Sequence, residues 1–82
     1  MYEPLSENAR RLLGRVVVLG QESPEGFVQD SDLWEAANLK YEAYVDAAAE
    51  LVEKGLAESI ANASAFPALK ATREGSERIR GI

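Results

Sequence analysis

The 82-residue chain predicts a mainly α-helical fold with a small antiparallel β element, in the order α-β-α-α-β-β followed by a short C-terminal helix. Three observations carry this expectation. Apolar residues recur at spacings of three and four between Ser6 and Gly20 and again between Tyr41 and Lys54, the period of a half-buried helix. The second run stops at a glycine, in LVEKGL (51–56). Two short extended pieces, LAESI (56–60) and PALKAT (67–72), then flank the small-residue loop ANASAF, near enough in sequence to pair as a hairpin.

Each element has its own signals. Ser6 suits the cap of a first helix, Glu7 complements its positive end, and Ala9, Leu12, Leu13 and Val16 form its apolar side. Gly14 costs about 1 kcal/mol inside a helix, and the β-branched run Val16–Val18 would also suit a strand. The helical reading groups Arg10, Arg11 and Arg15 on one side. QESPEG is a loop, and Phe27–Val28 suffices for a short strand. Asp30 or Ser31 caps a second helix, SDLWEAAN, whose Leu33, Trp34 and Ala37 share an apolar side and whose Asn38 tolerates the left-handed conformation at a helix end. The third helix, Tyr41–Lys54, turns Tyr41, Tyr44, Val45, Ala48, Leu51 and Val52 to the core. Both tyrosines are expected half-buried with their hydroxyls at the surface. Thr72 caps a last, half-formed helix, REGSERIR. The expected core comprises Leu13, Val16, Leu33, Trp34, Val45, Val52, Leu56 and Leu69.

Composition narrows the function. A chain of this length makes one domain, and a small core gains from a partner. Cysteine and histidine are absent, which removes thiolate nucleophiles, zinc–thiolate sites and the commonest general base. Asp30, Asp32 and Glu35 lack the spacing of a calcium loop, and no glycine-rich phosphate loop or paired nucleophile and base is present. The reading is therefore non-enzymatic, with no cofactor, metal or small-molecule ligand implied. The longest bulky apolar run, VVVL, is far too short to span a membrane, and the N-terminus lacks the apolar stretch of a secretory signal, so a cytoplasmic location is expected. The match of Asn62–Ala63–Ser64 to a glycosylation acceptor carries no weight without such a signal. The net charge of −5 is unevenly spread: residues 22–58 sum to −8, and the two ends together to +3.

The phrase LVEKGL, followed by Leu69–Thr72–Gly75 in the pattern L-x-x-T-x-x-G, resembles a winged helix-turn-helix domain of the MarR-like and PadR-like transcription regulators. The resemblance spans about residues 6–76 and makes the whole chain, 1–82, a single winged-helix domain. It implies that the third helix is a recognition helix, that Ile60–Pro67 is the wing tip, and that DNA is the usual ligand. On that reading Lys40, Tyr41, Glu42, Tyr44, Lys70 and Arg73 would meet DNA.

Charge opposes it. Glu42, Asp46, Glu50 and Glu53 fall in one sector opposite the bulky face of the third helix, where a DNA reader needs Arg, Lys, Asn or Gln. The wing tip carries no Lys or Arg, and the long C-terminal dimerisation helix of many such regulators is missing from the pattern. The favoured reading is a regulatory winged-helix module that acts through protein–protein contact; a DNA-binding transcription regulator is the alternative. Partner-binding candidates are Glu42, Asp46, Glu50, Glu53, Tyr41 and Tyr44 on the third helix, and Arg10, Arg11 and Arg15 on the first. Either charged group also reads as an ordinary solvated face. A homodimer is expected to be two-fold symmetric, each basic patch meeting the acidic patch of its mate, with Tyr2, Leu5 or Ile82 as apolar anchor.

Overall fold

The computed structural model describes residues 5–23, 25–59 and 67–80. Among these, four helices and three strands follow in the order α1 (Glu7–Gly20), β1 (Val28–Gln29), α2 (Asp30–Ala36), α3 (Tyr41–Glu53), β2 (Ala57–Ser59), β3 (Ala68–Ala71) and α4 (Arg73–Arg80). The chain is thus mainly helical with a small antiparallel sheet, as the sequence predicts. Ile60–Phe66, most of the expected wing tip, lies outside the described residues, as do Tyr2 and Ile82.

The Ser6 hydroxyl caps α1 by accepting from the Ala9 N–H at 3.2 Å. Val16–Val18 is helical, because Val16 and Val17 extend the buried side begun by Ala9, Leu12 and Leu13. Asp30 opens α2 from inside its first turn and does not cap it. Its backbone N–H donates to the Pro67 carbonyl at 2.9 Å, and its side chain accepts from the Ser31 N–H at 2.7 Å. Helix α2 therefore starts directly from the sheet. Asn38 takes the left-handed conformation (φ 56°) between α2 and α3, and Gly55 does so (φ 74°) after α3.

The central strand is β3, with strand order β1-β3-β2. Both pairings are antiparallel, with Val28 opposite Leu69 on one side and Ser59 opposite Leu69 on the other. The apolar sides of α1, α3 and the sheet enclose one core, in which Leu12, Leu13, Val16, Leu33, Tyr44, Leu51 and Leu69 are the largest fully buried side chains. Trp34, Val45 and Val52, expected inside, lie partly buried against it.

Two further expectations are corrected. Tyr44 is fully buried, not half-buried with a surface hydroxyl, because it falls with Ala47, Ala48 and Leu51 on the line of α3 that meets α1. Leu5, expected as a free anchor, is a core residue.

The two phrases of the sequence signature meet in space. Thr72 donates its backbone N–H to the Leu56 carbonyl at 3.0 Å. Its hydroxyl donates to the Gly55 carbonyl at 2.7 Å and accepts from the Gly75 N–H at 3.1 Å, capping α4. Thr72 thus ties the exit of α3 to the entrance of the last helix, which is a full two-turn element and not half-formed.

Candidate functional site

Two charged faces emerge, one on α3 and one on α1. Helix α3 buries Tyr44, Ala47, Ala48 and Leu51, so the side opposite them faces solvent. At its centre stand Glu42, Asp46 and Glu53, all exposed, around the half-exposed Ala49. Lys54 ends the helix beside Glu50, with the two side chains 3.7 Å apart. Tyr41 is 46% exposed at the edge of this face, its ring edge-on to Trp34 at 5.3 Å.

Glu50 departs from the expected acidic stripe. Its carboxylate accepts from the backbone N–H of Ser6 at 3.0 Å and from the Ser6 hydroxyl at 2.8 Å. It therefore fastens the N-terminus of α1 to α3 as a structural tether. The Ser6 backbone N–H does most to hold the carboxyl below its ordinary value of 4.5. Partial burial opposes this, and the Ser6 hydroxyl and Lys54 reinforce it. A carboxyl depressed in the folded state stabilises above its unfolded pKa and loses that contribution as pH falls through the folded value. Stability from this contact is expected to be complete at neutral pH and to be lost progressively as pH falls below about 4. Glu50→Gln should flatten that acid slope in urea titrations across pH, and Glu50→Ala should cost about 1 kcal/mol at pH 7, at the low end because the contact is solvent-accessible. An unchanged slope in Glu50→Gln would count against the tether.

The other DNA-facing candidates are dispersed. Tyr44 is inside the core. Lys70 lies over the Phe27 ring at 5.8 Å and lines a crevice with Val16, Val17 and Gly20 of α1. Arg73 pairs with Glu77 on α4 at 3.3 Å. Lys40, Tyr41 and Glu42 stay together at the start of α3, all exposed.

On α1, Arg10, Arg11 and Arg15 are all exposed, as expected. Arg11 pairs with Glu7 at 3.2 Å, whereas Arg10 and Arg15 meet no carboxylate among the described residues. These arginines border a groove of about 540 Å³ between α1, the α2–α3 turn at 36–38 and α4. Gly14, Val18 and Ile79 also line it. Val18 and Ile79, 51% and 36% exposed, are among the most exposed large apolar residues described. Sequence reading missed both. Val18 falls on the arginine side of α1, away from Ala9, Leu12, Leu13 and Val16, and that displacement is legible from helical spacing alone.

Helix α1 buries one side in the core and bears the groove on the other, while Glu42, Asp46 and Glu53 are exposed on α3. Among the described residues, no helix is long and apolar enough to cross a membrane, and no cluster of acidic side chains is arranged to hold a metal ion. No family model matches this chain, and neither a curated protein nor a solved structure matches it.

Proposed function

We propose that the chain is a non-catalytic, regulatory winged-helix module whose third helix contacts a protein partner and not DNA. The α-β-α-α-β-β order, with β2 and β3 paired as a hairpin and β1 added to the same sheet, supports the winged-helix reading. One observation carries the choice of partner. The solvent side of α3 centres on Glu42, Asp46 and Glu53, where a major-groove reader needs donors to bases and cations for phosphates. Lys70, which a DNA-binding wing would recruit, lies over the Phe27 ring.

A photo-crosslinking amino acid at Asp46 is expected to trap a protein in cells, and Glu42→Lys with Glu53→Lys should abolish the adduct. A purified chain should show no binding to mixed-sequence duplex below micromolar concentration at about 0.15 M salt. A nuclease-sensitive adduct at Asp46, or nanomolar duplex binding lost on changing Glu42 and Asp46 to alanine, would overturn this reading in favour of a DNA-binding regulator.

A further inference from the structure

We propose that the groove on the outer side of α1 is a second docking site, which receives an acidic amphipathic helix of another protein. Gly14 is the first indication. A glycine within a helix is less favourable than alanine, and no described atom stands within 4 Å of where its Cβ would be. Nothing inside the described fold requires a glycine there. Its missing side chain opens the floor of the groove to close approach by a partner backbone.

The lining gives the chemistry of that partner. Val18 and Ile79 provide apolar contact that an ion or phosphate cannot use. Arg10, Arg11 and Arg15 provide cationic rims. The Arg11–Glu7 pair is exposed on both sides and is weak enough to be exchanged for an incoming carboxylate. The matching surface is a helix with a bulky apolar row flanked by Asp or Glu, laid into the groove. Among the described residues, no aromatic side chain lines the groove to form the stacking platform of a single-strand nucleic-acid site. A second copy fits less well. The acidic side of α3 carries Ala49 at its centre and Tyr41 at its edge, not a bulky apolar row.

The test is a titration of the isotope-labelled chain, followed by amide NMR, with a synthetic helical peptide of about four turns that carries a Leu row flanked by Glu. Shifts are expected at Gly14, Val18, Ala37 and Ile79. Arg11→Glu with Arg15→Glu should weaken binding at least about tenfold, as should Gly14→Leu, which fills the floor. Peptides with Gln for Glu, or Ala for Leu, should lose most of their affinity. Gly14→Ala should raise the thermal midpoint by about 3–6 °C while weakening the peptide, because the helix gains what the partner loses. Glu42→Lys with Asp46→Lys and Glu53→Lys should leave binding intact, which separates this site from the α3 face. The proposal is overturned if the peptide shifts map to α3 or nowhere, if the arginine reversals change nothing, or if a single-stranded or duplex oligonucleotide takes the groove more tightly than the peptide.

Discussion

Gly75→Ala is expected to be among the most damaging single substitutions in this chain. Gly75 sits buried in the first turn of α4, and an added Cβ would run into the Leu56 carbonyl oxygen, with Leu13 Cδ1 only 3.2 Å away. The carbonyl cannot easily retreat. It accepts the Thr72 N–H at 3.0 Å, and Leu56 is itself held by its N–H to the Leu51 carbonyl at 2.9 Å. Shifting α4 outward would break the Thr72 cap and its bond to the Gly55 carbonyl. The clash is with backbone and not with a flexible side-chain end, so the cost should reach about 3 kcal/mol or more. For a domain of this size that lowers the thermal midpoint by at least about 12 °C, measurable by calorimetry or circular dichroism. Gly55→Ala provides the scale. Its φ of 74° strains an alanine, yet nothing described lies within 4 Å of the added methyl, so about 1 kcal/mol is expected. A midpoint for Gly75→Ala within a few degrees of the unmodified chain would show that α4 does not rest on Leu56.

The same corner illustrates what sequence reading reaches. Gly55, Thr72 and Gly75 are legible as punctuation: a left-handed stop, a cap and a small residue at fixed spacing. Their mutual contacts are not legible, because Thr72 lies 17 residues from Gly55 and spacing says nothing about which carbonyl a hydroxyl will meet. Element order was legible because Ala9–Val16 and Tyr44–Leu51 keep a helical period and Asn38 and Gly55 mark the ends. The one-residue offset at β1 and the misplaced cap of α2 share one cause. The Asp30 N–H is used by the Pro67 carbonyl across the sheet, a partner local patterns cannot supply.

The charged faces were partly legible for the same reason. Helical spacing groups Arg10, Arg11 and Arg15, and it groups Glu42, Asp46 and Glu53, because both sets follow from the 3.6-residue period. Glu50 belongs to that sector by angle, yet it is claimed by Ser6, 44 residues away. The groove stayed hidden because Ile79 reaches it from α4, while Val18 and Gly14 reach it from α1. The groove is built from three elements, which no wheel of a single helix contains.

Tyr44 and Tyr41 test the packing of α3 most directly, since sequence treated them alike and the structure separates them. Tyr44 is fully buried, with its ring edge-on to Trp34 at 5.8 Å, whereas Tyr41 is exposed at the helix start. Removing a fully buried aromatic side chain leaves a cavity and forfeits its burial, so Tyr44→Ala should cost about 4 kcal/mol. Tyr41→Ala loses mainly the edge contact to Trp34 and should cost about 0.5–1 kcal/mol. Chemical denaturation of the two variants side by side measures the difference. Comparable losses would return Tyr44 to the surface and leave α3 rotated from the orientation that turns Glu42, Asp46 and Glu53 outward. Ionisation gives an independent reading of the same packing. Burial, reinforced by the charge of Asp30 and by Tyr41, holds the Tyr44 phenol protonated well above its ordinary value of 10.0. The folded chain then keeps a proton that the unfolded chain releases near pH 10, so stability should fall as pH rises beyond that point. An ultraviolet titration of the folded chain, compared with that of Tyr44→Phe, should show the Tyr44 phenol silent until the chain unfolds. If the Tyr44 phenol ionises while the chain is still folded, Tyr44 is not the core residue that aligns α3 on α1.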